Sequence, residues 1–192
     1  MNTNTINQKE IIFPDKKYKI IYADPPWDFK YMGKSNPNDM AVYRASEHYN
    51  VMSLEDIKNL PIKSIADKDC ILFIWVIDSM LDKVFEFINS WGFKYKTVAF
   101  TWIKTNKNNG KPFYGLGYWT RCNPEQCLLA TKGKISRISK SVEQLTFSNR
   151  LRHSQKPSIF REKIVQLMGD LPHIELFARE KVEGWDAWGD EL

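Results

Sequence analysis

Seven consecutive apolar residues, Cys70-Ile71-Leu72-Phe73-Ile74-Trp75-Val76, constrain the fold more than any other stretch. A strand without polar alternation offers no face to water, so its sheet must be covered on both sides. Four further strands are expected: Tyr18–Ala23, Lys96–Ile103, Gln126–Thr131 and His173–Ala178. Helical segments fall between them. Ser53 caps a short helix stopped by Pro61. Leu81, Val84, Phe85 and Ile88 recur at helical spacing behind Asp78 or Ser79, and Gly92 ends that helix. A third helix from Ser158 to Met168 shows Phe160, Ile164, Leu167 and Met168 on one face and closes at Gly169. Strands alternating with helices imply an α/β domain, a mostly parallel sheet with helices on both faces. In such sheets ligands sit beyond the carboxyl ends of the strands.

The 192 residues fit one domain, 1–192, with 43% apolar residues to fill its core. Residues 1–17 form a short N-terminal segment, and 28–52 and 104–124 are long polar loops expected at the substrate site. No run approaches the ~18 apolar residues of a membrane span. The polar N-terminus lacks a secretion signal's apolar core. Cys70, Cys122 and Cys127 suggest neither a disulfide framework nor a zinc site, which points to a reducing, cytoplasmic interior.

Charge is unevenly distributed. Lys94 to Lys163 carries 15 Lys/Arg against three acids, Glu125, Glu143 and Glu162, a local +12 in a chain of net +5. Trp102, Phe113, Tyr114, Tyr118, Trp119 and Phe147 are interleaved with these cations. Such a segment can neutralise phosphates and stack on bases, which favours a nucleic-acid partner.

The first strand runs into Asp24-Pro25-Pro26-Trp27. Two prolines fix φ near −65° in succession and stop the strand. The aspartate and a neighbouring rigid carbonyl then form two acceptors aimed at one point, which suits the two donors of an –NH2 group. A flat aromatic beside them can support the heterocycle carrying that amine. Accepting both amine hydrogens raises electron density on a nitrogen otherwise delocalised into its ring. Catalysis by positioning and preorganised electrostatics then needs no metal.

The chain resembles the MT-A70-type adenine-N(6) methyltransferases, which use S-adenosyl-L-methionine. The resemblance rests on "IIYADPPW" and, in order, His48–Ile57, "ILFIWV", "WGF", "WIKTN", Gly117–Gly133, "RHSQKP" and "IELFAR". It implies a Rossmann-like methyltransferase domain with the catalytic motif before the cofactor motif. By that resemblance, Asp24 and the Pro25 carbonyl hold the target amine, Asp24 also approaches the cofactor's amino group, Pro26 shapes the pocket and Trp27 lines it. Tyr49 matches a loop tyrosine that closes over target or cofactor, and Lys156 a lysine near the methionine carboxylate. Glu175, Phe177 and Arg179 match the segment that cradles the ribose, with Asp190 and Glu191 following. Ala178 stands where relatives carry glycine, and Ile12 and Phe13 are candidates for packing the cofactor's adenine. Trp102, Lys104, Trp119, Arg121 and Asn123 are expected to bound the substrate groove. The implied reaction is methyl transfer to the 6-amino group of adenine in DNA, with RNA as the alternative. Cytosine N(4) transfer and a non-catalytic nucleic-acid-binding subunit are the remaining readings. The compact chain is similar to bacterial or phage enzymes, and a homodimer would help it grip a substrate.

Overall fold

The computed structural model describes residues 13–27, 52–115, 117, 119–150, 155–190 and 192. Its strands are β1 (Tyr18–Ala23), β2 (Ala66–Val76), β3 (Lys94–Thr105), β4 (Glu125–Lys132), β5 (Leu145–Asn149), β6 (His173–Leu176) and β7 (Asp186–Trp188). They join in one sheet of order β5-β3-β4-β2-β1-β6-β7. β1 lies parallel to both β2 and β6, β7 continues parallel to β6, and β5 is parallel to β3. Only β4 among these strands runs the other way, antiparallel to β2 and β3. The sheet is the mostly parallel one expected of a Rossmann-like methyltransferase fold.

Both faces are covered, as the apolar run of β2 requires. α1 (Leu54–Asn59), α2 (Ile62–Ile65) and α3 (Val84–Ser90) pack on one face, where Ile57, Ile62, Val84 and Ile88 meet Ile21, Leu72, Ile74 and Leu128. α4 (Ile159–Met168) covers the other, setting Phe160, Ile164 and Met168 against Ile20, Tyr22, Phe73, Trp75 and Phe100. Successive β2 residues therefore enter alternate cores, and each large side chain buried there contributes roughly 1.5–3 kcal/mol.

Local signals decide most boundaries. Ser53 Oγ accepts the Asp56 N–H at 3.1 Å and so caps α1, and Gly92 (φ 85°) and Gly169 (φ 85°) turn the chain out of α3 and α4. The expected start of α3 needs correction. Asp78–Met80 is a 3-10 turn, and α3 begins at Val84 with no side-chain cap. β6 also stops at Leu176 rather than Ala178, because Phe177 adopts φ 62°. β5 and β7, short strands at the two edges, were beyond the reach of periodicity.

Candidate active site

The end of β1 lies between two parallel neighbours, and there the chain turns at Asp24. The Asp24 N–H donates to the Leu176 carbonyl at 3.4 Å, a last rung toward β6 before the prolines end the ladder. The Pro25 carbonyl accepts the Trp27 N–H at 2.8 Å, which leaves one lone pair of a pinned oxygen for a ligand. Trp27 Nε1 donates to the Trp75 carbonyl at 3.0 Å, and its ring meets Phe87 edge-on at 5.1 Å. At 5% exposure the ring belongs to the core. Trp27 thus locks the turn to β2 and α3, and it offers no open face for stacking on a base.

A chain of alternating charges crosses the strand ends. Lys156 Nζ lies 2.7 Å from Asp24 Oδ2 and 3.1 Å from Glu125 Oε2, and Lys104 pairs with the other oxygen of Glu125. The order is Asp24, Lys156, Glu125, Lys104, two acids and two cations. Aromatic faces support the ammoniums: Lys156 lies 5.3 Å from the Trp75 ring centroid and Lys104 5.4 Å from that of Trp102. Trp75 is itself tethered, its Nε1 donating to Tyr22 Oη at 2.7 Å.

Burial and pairing pull these groups in different directions. Burial pushes up the Asp24 carboxyl; Lys156 draws it down, Glu125 raises it again and Arg179 lowers it. Burial also works to raise Glu125, but Lys156 and Lys104 outweigh it and hold that carboxyl at about 2. Burial opposes the charge on Lys156, yet Asp24 and Glu125 together hold its pKa above the usual lysine value. Lys156 thus stays an ammonium shared by two acids. Asp24 makes the closer contact with that ammonium, yet burial still drives its carboxyl upward, so it retains demand for a further cationic or hydrogen-bonding partner.

The sequence placed Asp24 and Lys156 at one site, and the structure brings them into contact. Glu125 was passed over. Its signal was available, as the one acid between Lys94 and Lys140, standing where a strand begins.

The cofactor-side residues gather on β6, β7 and the turn after β6. Glu175 is buried and takes a bidentate grip from Arg161 of α4, at 2.6 and 3.2 Å, so its carboxylate already has a partner. Ala178 keeps an ordinary negative φ and donates its N–H to Trp188 at 3.0 Å, so the alanine is accommodated. The strained backbone lies one residue earlier, at Phe177, whose ring meets Trp188 at 5.5 Å. Phe13 also packs against Trp188, at 4.8 Å between ring centroids. At Gly189 a Cβ would lie 2.2 Å from the Ala178 carbonyl, so only glycine fits where β7 crosses this turn. Asp190 follows it on the surface. Ile12, Tyr49 and Glu191 lie outside the described residues.

The expected groove residues separate into two groups. Trp102, 3% exposed, packs on Phe160 in the α4 core and cannot touch a substrate. Asn123 is buried as well, its Oδ1 accepting the Lys104 N–H at 3.1 Å while its Nδ2 donates to the Lys104 and Phe113 carbonyls. Both support the wall and do not line it. Arg121 donates to the Tyr114 carbonyl at 2.9 Å. Trp119 stands out at 99% exposure, on a turn where a Cβ on Gly117 would collide with the Thr120 carbonyl.

The MT-A70 family model matches residues 18–191 of the chain. The Type II methyltransferase M.MunI of Mycoplasma sp is 36% identical over 203 residues, covering 97% of this chain and 84% of that protein. The N(6)-adenine-specific methyltransferase METTL4 of Mus musculus is 27% identical, covering 92% of this chain but 38% of its own length. The N6-adenosine-methyltransferase non-catalytic subunit MTB of Arabidopsis thaliana is 34% identical across 63% of this chain and 15% of its own length. The chain thus spans most of the first relative and well under half of the other two.

Proposed function

The chain belongs to the MT-A70 family, and from that premise we propose that it transfers a methyl group from S-adenosyl-L-methionine to the 6-amino group of adenine in nucleic acid, with DNA favoured over RNA. The observation that carries the reading is the Asp24–Lys156 pair at the end of β1, 2.7 Å apart and mostly buried. An amino-acid zwitterion presents an ammonium and a carboxylate, and this pair presents the complementary charges. The donor set therefore fits the methionyl end of the cofactor, with Asp24 facing the amino group and Lys156 the carboxylate. Glu175, Phe177, Arg179 and Asp190 stand at the strand ends where its nucleoside would be held. When bound, S-adenosyl-L-methionine supplies an electrophilic sulfonium methyl group.

The chain's own residues then act on the amine. Asp24 and the free lone pair of the Pro25 carbonyl accept its two hydrogens and turn the nitrogen lone pair outward. Trp27, locked to Trp75 and Phe87, keeps both acceptors in place. Lys156, steadied by Glu125, stays charged and opposes the rise that burial imposes on the Asp24 carboxyl. A duplex substrate would first have to release its adenine from the stack, at a cost of a few kcal/mol.

The test is transfer of a labelled methyl group to matched single-stranded DNA, duplex DNA and RNA, with nucleoside digestion. N(6)-methyldeoxyadenosine is the expected product. N(4)-methyldeoxycytidine or N(6)-methyladenosine would redirect the reading. Asp24→Ala should fold and lose transfer by at least three orders of magnitude; near-normal turnover would sink the amine-clamp mechanism. The likeness to a non-catalytic subunit favours a second reading, a binding partner without activity. Calorimetric titration with S-adenosyl-L-methionine separates the two, because a purely scaffolding chain would take up no heat.

A further inference from the structure

At the far end of the charge chain, β3 and β5 run out side by side and leave a recess of ≈ 370 Å³. Thr105, Asn106, Lys107, Asn108 and Arg150 line it, two cations and no acid. Its frame is built from the chain's own hydrogen bonds. Thr105 Oγ1 donates to Asn149 Oδ1 at 3.0 Å, and the Arg150 N–H donates to the Thr105 carbonyl at 3.2 Å. The turn after β3 is closed by Asn106 N–H to Lys111 and Gly110 N–H to Asn106, both at 2.9 Å. The Arg150 guanidinium lies 4.3 Å from the Phe113 ring centroid. Stacking of this kind fixes the plane of a guanidinium and leaves its N–H edges outward, the presentation that suits a phosphate.

The recess begins one residue beyond Lys104, whose ammonium pairs with Glu125. β3 lies three strands from β1, which at the usual strand spacing is about 14 Å across the sheet. That exceeds the width of one nucleobase. We propose that this recess is a subsite for the phosphodiester of a nucleotide flanking the target in the same strand, held by Arg150 and Lys107. The assignment rests on nucleic acid being the substrate. It deepens that reading by saying where the strand leaves the catalytic end. Contacts to the backbone would supply grip and register and no base discrimination.

The test compares wild type, Arg150→Gln/Lys107→Gln and a control of equal charge change at the opposite end of β3, Lys94→Gln/Lys96→Gln. Binding of a fluorescein-labelled DNA duplex is read by anisotropy across a salt series, and transfer kinetics are measured on the same duplex. The recess variant should bind about tenfold more weakly at low salt, with its log–log salt slope shallower by about 2. KM for DNA should rise, with kcat at saturation and cofactor affinity held, while the control stays near wild type. Equal weakening of both variants, or none in either, would overturn the subsite. A wild type that methylates adenine while the recess variant matches it leaves the function standing without the subsite. Recess-dependent binding without any methyl transfer leaves the subsite standing without the function.

Discussion

Glu125 shows how a residue without an obvious role can set the chemistry of one that has. Its carboxyl sits between Lys104 and Lys156 and is held at about 2, against an ordinary 4.5. A depressed carboxylate contributes stability that is complete above its unfolded pKa and disappears as pH falls through its folded one. Glu125→Gln should therefore cost roughly 3 kcal/mol near pH 7, shrinking toward zero as pH drops from about 4.5 to 2. Urea denaturation of both proteins across that range measures it, and a penalty independent of pH would refute the pairing. Removing Glu125 also takes away a charge that raises Asp24. The acid limb of the rate profile should accordingly move to lower pH in the same variant. Asp24 was legible in the sequence because two prolines after a strand are rare and demand a reason. Glu125 showed only as a lone acid in a basic stretch, and its pairing with Lys156, 31 residues away, leaves no periodic trace.

Among the elements, α4 is joined to the sheet by an apolar face and by a buried ion pair. Arg161 reaches across to Glu175 on β6 with both carboxylate oxygens engaged. Burial still pushes the Glu175 carboxyl upward against that pull. Removing only the cation would strand a buried charge. Arg161→Met should lose about 3–5 kcal/mol, and Arg161→Met/Glu175→Leu should recover much of it. Thermal melts of the two variants decide this, and equal losses would show that the pair itself carries the stability. Helix positions and buried strands were readable from spacing because their side chains face two separate cores. The 3-10 entry to α3, the edge strands β5 and β7 and the left-handed Phe177 were not, since each is fixed by tertiary packing.

For the molecule as a whole, the basic segment proves to be divided in its use. Lys156 and Arg161 are buried in ion pairs, and Lys163 donates to the Glu143 carbonyl and Thr146. Lys107, Arg150, Lys111 and Arg121 remain near the surface around the β3–β4 connection. The charge count is therefore larger than the number of cations that stand at the surface of this segment. Cofactor affinity tests the same scale. S-adenosyl-L-methionine at about 100 times its dissociation constant should stabilise the fold by roughly 2.7 kcal/mol, a rise in Tm of about 5–10 °C. Asp24→Ala should abolish most of that rise, and an undiminished shift in that variant would place the methionyl end elsewhere. Among the described residues no helix is long and apolar enough to cross a membrane.

The place of β1 between β2 and β6 carries a consequence in time. β2 begins about 40 residues after β1 ends, but β6 begins about 150 residues after it. At ribosomal speeds of about 5–20 residues per second, β1 waits on the order of ten seconds or more for its second neighbour. Until then the backbone that positions Asp24 has one open side, and Lys156 has only just been made. Between the synthesis of β1 and that of β6 the nascent chain would thus hold Asp24 without the strand and the lysine that complete its site.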